Sequence, residues 1–287
     1  MVDFKDIRKS AKYSDRWLRN KQAKHIAMVE KSIQKLQNDI VDLLAKLAVN
    51  PNGRIEGLKV NLKQAQAIHK QIIILFKDDF SEKTKKIIDD FDSVQKSIET
   101  SFGYLDEAVK FTTIDKKAMA VLKDGYYQNY LALGATQQTK VVQAIYNQVL
   151  ANAPFSQLVN TIEGALIGKK GVTGTPLSVY AKTYANDFIM NFHNEVQLAK
   201  AQTAGLTHFL YVGNVIEDSR PFCIARAGNY YTIAQINSWT FPWQGKSGPA
   251  MTHRGGYNCR HHWQPIKPDW LGDAGKVEVQ NWFTENQ

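Results

Sequence analysis

At 287 residues the chain is long enough for one large domain or two ordinary ones, since domains most often run about 100–150 residues. A 44% apolar composition with 13 Phe, 12 Tyr and 6 Trp, together with 22% charged residues and a mean hydropathy of −0.36, argues against global disorder. No apolar run approaches the about 20 residues of a membrane-spanning helix, and the charged start MVDFKDIRKSAKYSDRW lacks the apolar centre of a signal peptide, so an intracellular product without a membrane anchor is expected. A net charge of +9 and a pI near 9.3 favour anionic partners, nucleic acid first and acidic protein surfaces second.

The first half reads as helix. Ile26, Val29, Ile33, Leu36, Ile40, Leu43 and Leu47 alternate steps of three and four, which lines one face of a helix with heptad spacing and calls for partner helices, in this chain or another. Asn50-Pro51-Asn52-Gly53 ends that element. A second helix is expected from about 58 to 76, and a third from about 81 to 98 with Ser81 as N-cap. Three helices with short connections make an antiparallel bundle the economical arrangement.

Helical pattern resumes at Asp115, expected as a cap, and runs to about Asn152. Pro154 breaks it, and a short amphipathic helix follows over 156–167. GKKGVTGTP at 168–176 is a loop by composition, and an alanine-rich helix spans Leu177 to Thr203. His25, His69 and His193 stand alone within helical pattern and read as surface or half-buried residues. The divisions implied are a helical region over 1–112, a helical middle over 113–205 and a small α+β part over 206–287. The fold class is therefore α+β, predominantly α, with an elongated N-terminal bundle or coiled-coil-like region.

The character changes at Leu206. THFLYVGNV reads as a strand, with Phe209, Tyr211 and Val215 offered to one face. Four of the seven histidines and both cysteines lie beyond this point. TIAQINSW looks like a short helix capped by Thr232. GKS at 245–247 resembles the end of a phosphate-binding loop, but Thr240 stands where its first glycine belongs.

Cys223, His253, Cys259 and His261 (or His262) would make the Cys2His2 set that zinc prefers, although only the C-x-H of 259–261 has tight ligand spacing. Buried apolar thiols and a Cys223–Cys259 disulfide are the alternatives. Adjacent residues of a strand face opposite ways, so only one of His261 and His262 should face a shared site. A histidine-based, metal-dependent nuclease at 253–262 is also open, but no acid flanks these histidines.

EDSRPFC at 217–223, the element AGNYYTIAQINSW and the closing GGYNCRHHWQP together resemble the C-terminal domain of the bacteriophage Mu F-like minor head proteins, the phage head morphogenesis family. The likeness covers about 185–268 and rests on the order of Asp218, Arg220, Cys223, Gly228, Cys259, Arg260, His262 and Pro265, with Gly255, Gly256 and Asn258 in the closing stretch. Arg226 stands where a further Cys or His of the family pattern is expected, and His253 would have to substitute.

The resemblance implies a non-enzymatic virion component that associates with the portal and other head proteins in head assembly, packaging or ejection. It would be present in multiple copies, in host cytoplasm during assembly and then in the virion, with non-specific contact to double-stranded DNA. Lys9, Lys12, Arg16, Arg19, Lys21 and Lys24 form a basic stretch suited to such contact, because cations beside phosphates gain affinity by counterion release without reading sequence. No cofactor is implied beyond zinc. The alternative is a metal-dependent DNA-processing enzyme built on the 253–262 cluster, or a free-standing basic DNA-binding module.

Overall fold

The computed structural model describes residues 2–105, 110–168, 175–239 and 249–271, apart from the side chain of Leu58. Most of the 168–176 loop, all of GKS 245–247 and residues 272–287 lie outside these. Ten α-helices and three strands are described: α1 Phe4–Leu44, α2 Leu58–Leu75, α3 Glu82–Asp89, α4 Ser93–Gly103, α5 Thr113–Leu150, α6 Phe155–Leu166, α7 Leu177–Thr203, β1 His208–Val212, α8 Pro221–Arg226, β2 Tyr230–Thr232, α9 Ile233–Asn237, α10 Ala250–His253 and β3 His262–Ile266. The chain is predominantly α with a small α+β region near its C-terminus, as the patterning predicts.

Contacts group these elements into two compact units that do not follow chain order. One comprises residues 1–23, 90–123 and 186–287, and the other 24–89 and 124–185. Helices α1, α5 and α7 each contribute to both.

The second unit is a helical assembly. Its part of α1 buries Val29, Ile33, Leu36, Ile40 and Leu44, and the turn after it buries Leu47. Leu44 replaces the expected Leu43 because a straight helix of 3.6 residues per turn drifts from a strict seven-residue repeat. The same unit supplies the partner faces: Ile68 and Ile72 on α2, Tyr130, Val141, Ile145 and Val149 on α5, and Leu158 and Ile162 on α6 are all buried. Asn61 ties the turn after α1 to α2, accepting from the Ala48 amide at 2.8 Å and donating to the Ala48 and Glu56 carbonyls.

Two expected caps are replaced. The chain passes from α2 to α3 through a single π-type turn over Phe76–Ser81, so Ser81 caps nothing and donates instead to the Phe76 carbonyl. Before α5, Thr112 is the cap: the Asp115 amide donates to its hydroxyl at 3.2 Å, and the Asp115 carboxylate accepts the Thr112 amide at 2.6 Å. Thr232 does cap α9, in a reciprocal box with Gln235.

In the first unit the sheet order is β2-β1-β3, all antiparallel, with Tyr211 opposite Trp263 and Val212 opposite His262. Val215 lies beyond β1 and is exposed. Residues alternate across the sheet. Leu210, Val212 and Ile266 pack with Ile7, Ala11, Leu105 and Leu271, while Tyr211 and Trp263 meet at 4.5 Å between ring centres. Pro265, which donates no backbone hydrogen bond, sits in β3 at the edge of the three described strands.

The N-terminal part of α1 belongs to this unit and buries Ile7, Ala11, Ser14, Leu18 and Gln22. Ser10 lies within 2.7 Å of the Ser101 hydroxyl and Ser14 within 3.0 Å, so small hydroxyl residues bring α1 and α4 close together.

Candidate metal centre and its cleft

Cys223 is set by α8, which Pro221 opens from the first helical position, where its missing N–H costs nothing. Cys259 and His261 lie on the segment running into β3. Sulfur to sulfur the cysteines are 3.8 Å apart, and Cys259 Sγ is 3.8 Å from His261 Nδ1. The ligand atoms of all three residues fall within 4.8 Å of one another, and all three side chains are buried.

These distances suit one tetrahedral zinc. Two thiolates at the usual Zn–S length of about 2.3 Å stand about 3.8 Å apart, and a thiolate and an imidazole about 3.5 Å apart. The thiols are free, and the sulfurs are nearly twice the about 2.05 Å of a disulfide apart, so the disulfide alternative is not what this fold holds. His253 was the expected fourth ligand. It falls outside the group: α10 carries it, while the three candidate ligands come from α8 and the stretch after the Gly255-Gly256 turn. A metal held by Cys223, Cys259 and His261 would keep one of four positions for a donor from elsewhere.

The surroundings are shaped for this cluster. A methyl group on Gly255 would lie 2.3 Å from Cys223 Sγ and 3.1 Å from Cys259 Sγ, and the Gly255 amide donates to Cys259 Sγ at 3.4 Å. Gly256 makes the turn itself, with φ of +95°. Gly256 thus turns the chain, and Gly255 leaves room for the sulfurs. Gly213, with φ of +147°, leaves room for the His261 ring, which stacks on Tyr211 at 5.0 Å. The Tyr211 hydroxyl stands 3.5 Å from each sulfur.

The thiols share a proton unequally. Their mutual hydrogen bond holds Cys259 well below the ordinary thiol range, assisted by His261 and Arg254, while the same bond and burial push Cys223 up. The deprotonated thiol is the form a metal binds.

Behind the cluster lies a polar interior. His262 faces away from His261, as alternation requires; it and His193 are fully buried, and the field of His262 acts on His193. Burial first, then that field and the charge of Arg254, lowers His193 to about 3. His262 falls to about 3, with burial again the first cause. Both are thus neutral at physiological pH. His193 and His25 are buried, contrary to the surface or half-buried placement expected for isolated helical histidines, whereas His69 is half-buried against Tyr146 as expected. Arg254, φ +51°, is fully buried and donates to Asn191 Oδ1 at 2.9 Å and to the Thr252 carbonyl at 2.7 Å. The Asn258 amide donates to Asp187 at 2.8 Å, which fixes the start of the Cys259 segment.

In front of the cluster is an open cleft of about 320 Å³, lined by Arg19, Asn214, Ile216, Asp218, Ser219, Arg220, Asn258 and Arg260 as well as the three cluster residues. Arg220 is held by a 2.7 Å bond from Nη2 to the Tyr257 carbonyl, and Arg19 by a 2.7 Å bond from Nε to Asp15. Asp218-x-Arg220 and Asn258-Cys259-Arg260, far apart in sequence, thus meet on one surface.

Of the basic stretch, Lys9 and Arg16 are exposed, and Lys12 and Arg19 are half-buried. Lys21 is turned to Asp90 at 2.8 Å and to the Trp17 ring, so it is not an open cation of the arm. Lys9 pairs with Asp6 at 3.4 Å, and Lys24 lies in the other unit.

Tyr211, Gly213, Arg254 and His193 carry no motif signal, and only the fold reveals their place. Comparison with protein-family models, with curated proteins and with solved structures gave no match for this chain.

Proposed function

We propose that the chain is a non-enzymatic structural protein of phage heads, of the head morphogenesis kind, in which zinc on Cys223, Cys259 and His261 staples the C-terminal part. It would act at the portal, alongside other head proteins, in assembly, packaging or ejection. Contact with double-stranded DNA would be non-specific, through the exposed cations of α1. The observation that carries this reading is the convergence of the two halves of the sequence motif, with sulfurs 36 positions apart in the chain brought to 3.8 Å.

A structural role suits zinc here because the metal would join α8 to the segment leading into β3. Bound there, zinc supplies a fixed cross-link between the two. Elemental analysis of protein purified without chelators should give about one zinc per chain, and less than half would overturn the staple. Binding to duplex DNA should weaken steeply with salt, and a flat response would remove the DNA role.

One observation favours a second reading. Asp218, a carboxylate, lines the same cleft as the three ligands, and three protein ligands with an open fourth position are the arrangement of catalytic zinc. A metal-dependent nuclease would nick plasmid DNA with Mg2+, Mn2+ or Zn2+ and lose that activity in Asp218→Asn and His261→Ala. The structural reading expects no nicking by any of these proteins.

A further inference from the structure

Three guanidinium groups reach the cleft from three separate places in the chain. Arg19 comes from α1, Arg220 from the turn that opens α8, and Arg260 from between the ligands Cys259 and His261. One carboxylate, Asp218, shares the cleft, and Asp15 lies on Arg19 outside it. From this convergence we propose that the cleft is a binding site for a phosphate-class oxyanion, either the backbone phosphate of a nucleic acid or free phosphate.

The chemistry of the lining selects the ligand. A guanidinium offers a planar fork of N–H donors that matches oxyanion geometry, and it stays charged at any physiological pH. Three such forks exceed what the two oxygens of a single carboxylate can accept, whereas phosphate presents oxygens in several directions. Two of the forks are positioned in advance, Arg220 by the Tyr257 carbonyl and Arg19 by Asp15, so less side-chain freedom is lost on binding. At about 320 Å³ the cleft holds a phosphate with space for an attached sugar. Ser219 and Asn214 add neutral polar groups to the lining.

Arg19 also connects this cleft to the basic arm. Lys9, Lys12, Arg16 and Arg19 follow one another at steps of three, four and three, which places them along one side of α1. The inference rests on the reading of the chain as a DNA-associated protein only for the source of the phosphate. The anion site itself stands on the arginines.

The test uses full-length protein, both zinc-loaded and chelator-treated. Calorimetry with inorganic phosphate and fluorescence anisotropy with a 5′-labelled oligonucleotide are the two probes. Arg220 and Arg260 are exposed, so Arg220→Gln and Arg260→Gln should fold normally, and each should weaken binding of whichever probe is bound by about tenfold. Asp218→Asn should tighten the same binding severalfold, an opposite sign that damage to the fold would not produce.

Binding of phosphate alone, weakened by these variants, assigns the site to a free anion. Binding of the oligonucleotide with the same variant pattern assigns it to a nucleic acid backbone, and loss of the DNA role with retained phosphate binding separates the two readings. The proposal is overturned if neither probe binds, if Arg220→Gln and Arg260→Gln together leave binding unchanged, or if polyglutamate displaces the oligonucleotide at lower concentration than phosphate does.

Discussion

In the unit drawn from 24–89 and 124–185, α1 presents Val29, Ile33, Leu36 and Ile40 to its neighbours, and burial follows apolar spacing. In the other unit α7 presents Asn191, His193, Asn194 and Gln197, all at most 4% exposed, beside Arg254, His262 and Gln264. Several of these, including both ring nitrogens of His193 and His262 and the amides of Asn194 and Gln197, meet no protein hydrogen-bond partner among the described residues. The first interior is held by water-averse surface, which is non-directional and tolerant. The second contains buried polar groups that cost free energy unless satisfied, and natural interiors keep such groups mainly where a role compensates. Arg254 and His262 also act electrostatically on the Cys223–Cys259–His261 cluster, which ties part of that cost to the candidate site.

The largest test of this contrast lies in the apolar interior. Leu36→Ala should cost about 2–5 kcal/mol in urea unfolding, through lost transfer energy and a residual cavity. A cost below about 1 kcal/mol would mean that the stripe is not a packed core.

At the cluster, Gly255→Ala forces a methyl group toward the Cys223 sulfur and should cost about 1–3 kcal/mol while lowering zinc content per chain. An unchanged zinc content would show that the sulfurs do not share a metal.

A third test uses pH. The folded pKa of both His193 and His262 lies below the unfolded value of about 6.5, so the unfolded chain binds more protons in the window between them. Stability is therefore complete above the unfolded value and falls as pH drops from about 6.5 toward 3, by about 1.4 kcal/mol per pH unit for each histidine. His193→Gln should remove one group's share of that slope, and an unaltered slope would place the titration elsewhere.

The smallest expected effect runs the other way. Asn194→Leu exchanges a buried amide that meets no protein partner among the described residues for an apolar group of similar size, and should be neutral or stabilising by up to about 1 kcal/mol. A clear loss would mean that this amide is bonded in solution.

Much of the helical half was legible from the chain, because a 3.6-residue rhythm of Ile, Leu and Val has few other meanings. The errors are local. Leu43 and Leu44 are adjacent, and heptad counting selects the wrong one once the drift has accumulated over successive heptads. Ser81 looks like a cap, yet Phe76 and Phe80 are buried on the same continuous stretch and carry the chain through a π-type turn. The first 25 residues gave no apolar rhythm, since Ser10, Ser14, Gln22 and His25 occupy buried positions that pattern reading assigns to water.

At the candidate site, residue types and order were readable but partnership was not. C-x-H spacing marks Cys259 and His261 as potential ligands, and Cys223 joins them only because β1 and β3 pair and α8 folds back over Tyr211. His253 was equally eligible by composition and is excluded by the helix it occupies. Likewise, Arg19 belonged to a basic arm and Arg220 and Arg260 to a motif, and nothing in their spacing joined them.

By itself the sequence determined what is carried by short-range periodicity: a mostly helical chain, a small strand-containing C-terminal part, and the residues able to bind metal or anions. Tertiary structure alone decided which of those residues meet, because approach across 36 or more positions depends on register, helix phase and the two close contacts that Gly213 and Gly255 permit. These are properties of the packed chain, and no local preference encodes them.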